Sequence, residues 1–223
     1  MDTTRRQRLR ADTEEEIVAA ARAILTGDGM PALTLRAIAA RIGMTAPALY
    51  RYVDSRDEIL RRMCTTIYDE LADRLHAAIE VAGQAPIDRA TAMMRAYRSW
   101  ALDRTAEFTL VFTNSEPAVL GIWEPDRIAA DPVYRAFIGV AADLLGETAG
   151  LEIAPGLGEA MTAADISRSE VRWAIGWWQR LHGAVMLEVH QRFPFTVGSG
   201  DAVFDAMLDD LAADIGRLRG DHG

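Results

Sequence analysis

"TLRAIAARIGMTAPALYRYVDSRDEIL" occupies residues 34–60, and its punctuation decides the fold. Thr34 can accept a hydrogen bond from the first turn of a helix, and Leu35, Ile38, Ala39 and Ile42 then fall at i, i+3, i+4 and i+7 on one face. Gly43 is placed to end that helix in a left-handed turn. Thr45 is a second N-cap, Pro47 sits in a first turn whose amides have no helical partner, and Leu49 supplies an apolar anchor. Two short helices joined by a tight glycine-containing turn have the geometry of a helix-turn-helix; the same pattern also describes two short helices that cap a bundle. On the first reading Thr45, Ala46, Ala48 and Arg51 face base edges and phosphates. Tyr50 and Tyr52 then donate hydroxyl hydrogen bonds to phosphate oxygens.

Outward from this stretch, the chain reads as helix after helix. Upstream, Thr13 and Glu16 have capping-box spacing ahead of Ile17, Ala20, Ala21, Ile24 and Leu25, and Gly27 and Gly29 are expected to stop that helix. Arg5, Arg6, Arg8 and Arg10 precede it as a flexible arm over residues 1–12. Downstream, Asp54 or Ser55 begins a fourth helix whose apolar positions run from Ile59 to about Ala82. At about 1.5 Å per residue that is roughly 40 Å, long enough to enter a second domain. A further helix is expected from Ile87 to about Phe112 with a bend near 103–105, then others over 132–148, 167–193 and 200–220. The stretches 113–131 and 150–167 carry the proline and glycine of loops. The predicted class is all-α: an N-terminal helix-turn-helix domain over 1–62 and a helical bundle over 63–223.

Composition bounds the function. The chain has 223 residues, 50% hydrophobic and 26% charged, enough to bury a sizeable core. It has no apolar run of the roughly 20 residues that a membrane span needs, so a cytoplasmic location and no membrane partner are expected. One cysteine, Cys64, excludes an internal disulfide and offers no metal-site spacing; it reads as a buried filler. The net charge of −9 is unevenly spread. Residues 1–62 hold 11 Arg against 9 Asp and Glu, a balance of +2, and the remainder carries −11. A near-neutral or basic head on an acidic body suits a polyanion-binding part joined to a larger part with other business.

Residues 33–60, "LTLRAIAARIGMTAPALYRYVDSRDEIL", resemble the DNA-binding domain of the TetR family of bacterial transcriptional repressors, and the likeness extends over about 13–62. It departs from the family pattern at Val53 and Arg56, where phenylalanine and lysine are usual. The resemblance implies Thr34 and Arg36 near phosphate, Thr45, Ala46, Pro47 and Ala48 on bases, Tyr50 and Tyr52 on phosphate, and Arg56 as a positive charge near the backbone. The arginine arm is expected to reach the DNA backbone or an adjacent minor groove.

In the second half, "WWQRLHGAVMLEVHQRF" resembles the C-terminal domain named for its Trp-His-Gly signature within the same family, on Trp178, Leu181, His182 and Gly183. That likeness implies a bundle that often encloses a small-molecule pocket. Most large aromatics gather here, with Met93, Met94 and Met186 alongside. Trp100, Phe108, Phe112, Trp123, Phe137, Trp177, Trp178, His182 and Met186 are the candidate lining of a site for a small hydrophobic or aromatic effector. His182 is expected to be hydrogen-bonded inside the fold and not a metal ligand, since no other histidine stands at i±3 or i±4 from it. Glu107, Glu116 and Glu188 are candidates to pair with a cationic ligand. Phe204, Met207, Leu208, Leu211 and Ile215 form a seam at steps of three and four, with Val185 and Val189 joining it. The seam suits a homodimer interface, or else closes the monomer's own core.

The function expected from these readings is a ligand-responsive repressor that binds a palindromic operator in double-stranded DNA as a homodimer, with no metal and no cofactor. The rivals are a helical-bundle enzyme and a protein-binding adaptor. Against the enzyme, no phosphate-cradling glycine loop, serine elbow, paired metal-ligand motif or thiolate–histidine pair is visible.

Overall fold

A computed structural model describes residues 2–116, 119, 131–145, 168–192 and 200–220. Most of the 113–131 stretch and all of 150–167, and with them Trp123, lie outside the described residues. Among the described residues there are nine α-helices, one short 3-10 turn and no strand. In chain order they are α1 (Asp2–Asp28), α2 (Leu35–Arg41), α3 (Ala46–Leu49), α4 (Arg56–Val81), α5 (Pro86–Asp103), α6 (Thr105–Thr113), α7 (Pro132–Leu145), α8 (Arg168–Val189) and α9 (Gly200–Gly220).

The chain forms two compact units. The first takes residues up to Asp69 and the α6 segment from Arg104; the second takes Glu70–Asp103 and the helices that follow. Helix α4 carries the chain from one unit into the other and is about 39 Å long at 1.5 Å per residue. Between α5 and α6 the expected bend is a complete break at Arg104, with φ −130° and ψ 49°. The two pieces that it separates belong to different units.

In the first unit, α1 begins eleven residues before the expected cap. Nothing in "DTTRRQRLRAD" breaks a helix, and the Thr13 hydroxyl donates back to the Leu9 carbonyl at 2.8 Å instead of capping a new start. Arg5, Arg6, Arg8 and Arg10 are therefore carried on helical turns and not on an extended tail. Gly27 stays inside the helix; Gly29, with φ +81°, ends it. The core beneath joins Ile17, Ala21 and Ile24 of α1 to Leu33, Ile38, Leu49, Val53, Ile59, Leu60, Met63 and Ile67, with Phe108 and Val111 of α6. Glu107 of α6, only 3% exposed, is clasped by Arg22 of α1 at 2.8 Å and Arg104 at 3.2 Å.

In the second unit, α8 packs on α7 and α5, and α9 packs on α7. Its interior holds Met93, Met94, Tyr97 and Trp100 of α5, Phe137, Val140 and Leu144 of α7, Trp177, Leu181 and Val185 of α8, and one face of α9. That face is Phe204, Leu208, Leu211 and Ile215, exposed by 2%, 6%, 1% and 6%. These four and Val185 are buried within their own chain, as the second of the two readings of the seam expects.

Candidate functional site: a nucleic-acid interface and an apolar cavity

Local chemistry makes each end of the α2–α3 motif. Thr34 accepts from the Ala37 amide at 3.1 Å, and its hydroxyl hydrogen stays available to a phosphate oxygen. At the other end of α2 the Met44 amide reaches the Ala39 carbonyl at 2.8 Å and the Gly43 amide the Ala40 carbonyl at 3.3 Å, a Schellman pair. This geometry places Gly43 at φ +69°, a conformation that costs a side-chain-bearing residue about 1 kcal/mol or more. Thr45 then caps α3 by accepting from Ala48 at 3.4 Å.

Helix α3 rests on a single fully buried side chain, Leu49. Around that anchor Thr45, Pro47 and Arg51 are exposed, Tyr50 is 55% exposed, and Ala46, Ala48 and Tyr52 are half-buried. On α2, Arg36 is exposed as well. Neither Arg36 nor Arg51 has a carboxylate partner among the described residues. A short helix with small residues on its outer side, bordered by tyrosine hydroxyls and free guanidinium groups, matches what a major groove and its phosphates accept.

Arg56 differs from the other candidates. Its Nε donates to the Leu33 carbonyl at 2.8 Å and its guanidinium pairs with Glu116 at 2.5 Å, so it ties the head of α4 to the turn before α2 and to the chain beyond α6. Ser55 is the cap of α4, accepting from the Glu58 amide at 3.1 Å, while Glu58 accepts from the Asp54 amide at 2.6 Å. That second bond is the chief reason the Glu58 carboxyl is held below the usual carboxylate range.

The second unit holds a cavity lined by Ala90, Met93 and Met94 of α5, Phe137, Val140 and Leu144 of α7, Trp173 and Trp177 of α8, and Leu211 of α9. Its enclosed volume is about 20 Å³, at the bottom of a depression of about 290 Å³ that includes open solvent. No lining residue carries a charge. Of the residues proposed from sequence as its lining, the cavity gathers Phe137 and Trp177, and it adds Leu211 of the α9 seam. Trp178 packs behind Phe137 at 4.8 Å and stacks on His182 at 5.0 Å. Trp100 stacks on Tyr97 at 6.5 Å, and Met186, half-buried, stands apart from the lining. Phe108 and Phe112 belong to the first unit, where their rings meet at 5.1 Å and Phe112 meets Tyr68 at 5.9 Å. Met93 and Met94, which the sequence sets beside the aromatics, are in the lining as well.

Tyr97 and His182 explain each other. Tyr97 is fully buried, which raises its phenol well above the ordinary value, and its hydroxyl shares a hydrogen bond with His182 Nδ1 at 2.7 Å. Burial pushes His182 down to about 4, so the imidazole is neutral. The three carboxylates offered to a cationic ligand are engaged by arginines of this chain: Glu107 by Arg22 and Arg104, Glu116 by Arg56, and Glu188 by Arg98 at 2.5 Å. Among the described residues there is no cluster that could hold a metal ion, and no helix is long and apolar enough to cross a membrane.

Known proteins share this arrangement. Residues 17–63 match the family described as bacterial regulatory proteins, tetR family, and residues 90–211 match the tetracyclin repressor-like C-terminal domain. The uncharacterized HTH-type transcriptional regulator Rv0681 of Mycobacterium tuberculosis (strain ATCC 25618 / H37Rv) is 30% identical over 95% of this chain and 84% of its own. The HTH-type transcriptional regulator Rv1816 of the same strain is 36% identical over 62% of this chain, a match that spans 59% of the relative's length. A crystal structure of a protein described as regulatory, SCO4313, superposes with TM-score 0.66 at 28% identity, over 92% of this chain and 97% of that one. A protein of unknown function from Rhodococcus sp. RHA1 shares the fold, with TM-score 0.64 at 21% identity over 93% and 94% of the two chains. With the capped α2–α3 motif, the helical body and both halves matched, the chain belongs to the TetR family of bacterial transcriptional regulators.

Proposed function

We propose that this regulator is a repressor that binds a palindromic operator as a homodimer and is released by a small, uncharged, apolar or aromatic effector. The observation that carries the reading is the pairing of an outward-facing α3, held by Leu49 alone, with an uncharged cavity in the other unit. Thr45, Ala46, Pro47 and Ala48 meet base edges, while Thr34, Arg36, Tyr50, Arg51 and Tyr52 meet phosphates. Arg56 supports the α2–α3 motif from behind.

The lining supports this class of effector. Methionine, tryptophan and aliphatic walls without a charged group favour a hydrophobic guest and leave a charged one with an uncompensated desolvation cost. Such a guest shifts DNA binding only through differential affinity, about 5.5 kcal/mol for near-complete reversal. The cavity wall on α5 continues, after the break at Arg104, into α6, and α6 is clasped to α1 through Glu107. Helix α4 offers a second covalent route to the reading head.

For the dimer, the candidate surface is what α8 and α9 leave uncovered. Gly176 and Gly183 face open space where a side chain would begin, Leu187 is exposed, and Ala202, Ala206 and Ala213 line the outer side of α9. Val189 and Met207, both half-buried, border it. Small residues let a partner helix approach closely, and a twofold pair of such helices imposes a palindrome on the DNA.

The test is a fluorescence anisotropy titration against duplexes tiled across the gene's own upstream region at low salt, followed by addition of the uncharged dye N-phenylnaphthylamine to the complex. The expected result is one retained duplex that the dye displaces. Folded dimer that retains no duplex at low salt refutes the repressor; dye that binds free and DNA-bound protein equally refutes ligand release.

A further inference from the structure

The first turns of α1 contribute nothing to the core among the described residues. Every residue from Arg5 to Asp12 is exposed, Leu9 by 56%. A free peptide of that length would not hold a helix, and the stretch is helical because it extends one already anchored by Ile17, Ala20, Ala21 and Ile24. Charge is sorted along it: Arg5, Arg6, Arg8 and Arg10 come first, Asp12, Glu14, Glu15 and Glu16 after.

Arg10 fixes where this extension lies. It pairs with Glu14 at 2.8 Å, and its guanidinium sits over the ring of Tyr52 at 5.9 Å, two residues from the exposed Tyr50. Glu14 is itself held by Arg62 at 3.2 Å, so the row is braced against α4. Arg5, Arg6 and Arg8 have no carboxylate partner among the described residues. At about 100° per residue, Arg6 falls on Arg10's face, about 6 Å nearer the N-terminus, whereas Arg5 and Arg8 form a second row. Duplex DNA presents one negative charge per about 1.7 Å of axis, so a duplex seated against Tyr50 and Tyr52 offers further phosphates at that spacing.

We propose that the N-terminal turns of α1 are a second contact to duplex DNA, in which Arg6 neutralises a backbone phosphate flanking the bases under α3 and Arg10 is the neighbour that sets its position. The proposal rests on the reading of α2–α3 as the DNA-binding motif. The contact is to the phosphate backbone, so it adds affinity and register without reading sequence.

The full-length chain is titrated against its operator duplex between 50 mM and 200 mM salt. Each phosphate contact contributes about 0.9 to the slope of log affinity against log salt, which makes about 3.5-fold per contact over that fourfold range. Arg6→Ala is expected to weaken binding and to lose about 3.5-fold of the salt dependence for each copy bound; Arg6→Lys is expected to keep the slope. Arg217→Ala on α9 serves as the charge control and keeps it too. Trimming the base pairs that flank the operator lowers the wild type to the Arg6→Ala affinity and leaves Arg6→Ala unchanged. An Arg6→Ala protein with wild-type helicity and wild-type slope overturns the proposal. A wild-type chain that binds no upstream duplex overturns the reading of α2–α3 itself, a separable result.

Discussion

The two units use their side chains in opposite directions. In the first, the residues proposed to meet DNA point out, and a few backbone-directed bonds at Thr34, Gly43, Thr45 and Ser55 hold them there. In the second, the residues proposed to meet the effector point in: Met93, Met94, Phe137 and Trp177 face a cavity, and no local cap decides which of them do so. Recognition of a charged polymer needs exposed donors on a fixed frame, whereas recognition of an apolar guest needs walls supplied by several helices at once. The first can be written into thirty consecutive residues; the second is a product of packing.

Breaking the frame of the first unit should have the largest effect. Glu107→Ala leaves Arg22 without its carboxylate in a site that is nearly closed to solvent, and a loss of about 3 kcal/mol is expected from urea unfolding. Opening the wall of the second unit should cost less: Met94→Ala is expected to destabilise by about 2 kcal/mol and to tighten binding of N-phenylnaphthylamine. If the dye binds no better, the cavity is not where an apolar guest sits. Removing an outward group should touch function and spare the fold. Arg51→Ala is expected to weaken operator binding about tenfold, or about 1.4 kcal/mol, with thermal stability within about 0.5 kcal/mol of the wild type.

Acid sharpens the contrast further. The folded chain keeps His182 neutral down to about pH 4, while the unfolded chain takes up that proton near 6.5. The unfolded state therefore gains protons across that window, and stability falls as pH drops from 6.5 towards 4. His182→Gln, which can still hydrogen-bond Tyr97 and does not titrate, should flatten the decline, seen as a smaller fall in Tm across the window. The smallest expected effect concerns the end of α8, where Gln191 holds φ +52° while Arg192 N–H reaches the Leu187 carbonyl at 2.7 Å. Gln191→Gly relieves a left-handed residue at some cost in chain entropy, for a net gain of about 0.5 kcal/mol in chemical denaturation.

Legibility followed the same division. Thr34, Gly43, Thr45 and Leu49 could be placed from sequence because caps and left-handed turns are set by neighbours within a few residues. Thr13 shows the limit: it had a cap's spacing from Glu16, yet the helix runs through it because no residue upstream interrupts. Leu211 shows another. A stripe at steps of three and four says that a helix has a covered face and not what covers it, so the α9 seam read equally as a subunit interface or as part of the chain's own core. Phe108 and Phe112 were grouped with distant tryptophans by density alone, and the break at Arg104 puts them in the other unit.

Cys64 has a consequence of its own. It is the chain's single thiol, wholly enclosed on α4, and burial pushes it up to about 12, so neither oxidants nor alkylating reagents meet a thiolate while the fold is intact. Its modification rate is therefore a built-in clock for opening of the first unit, readable in the unaltered protein with or without bound DNA.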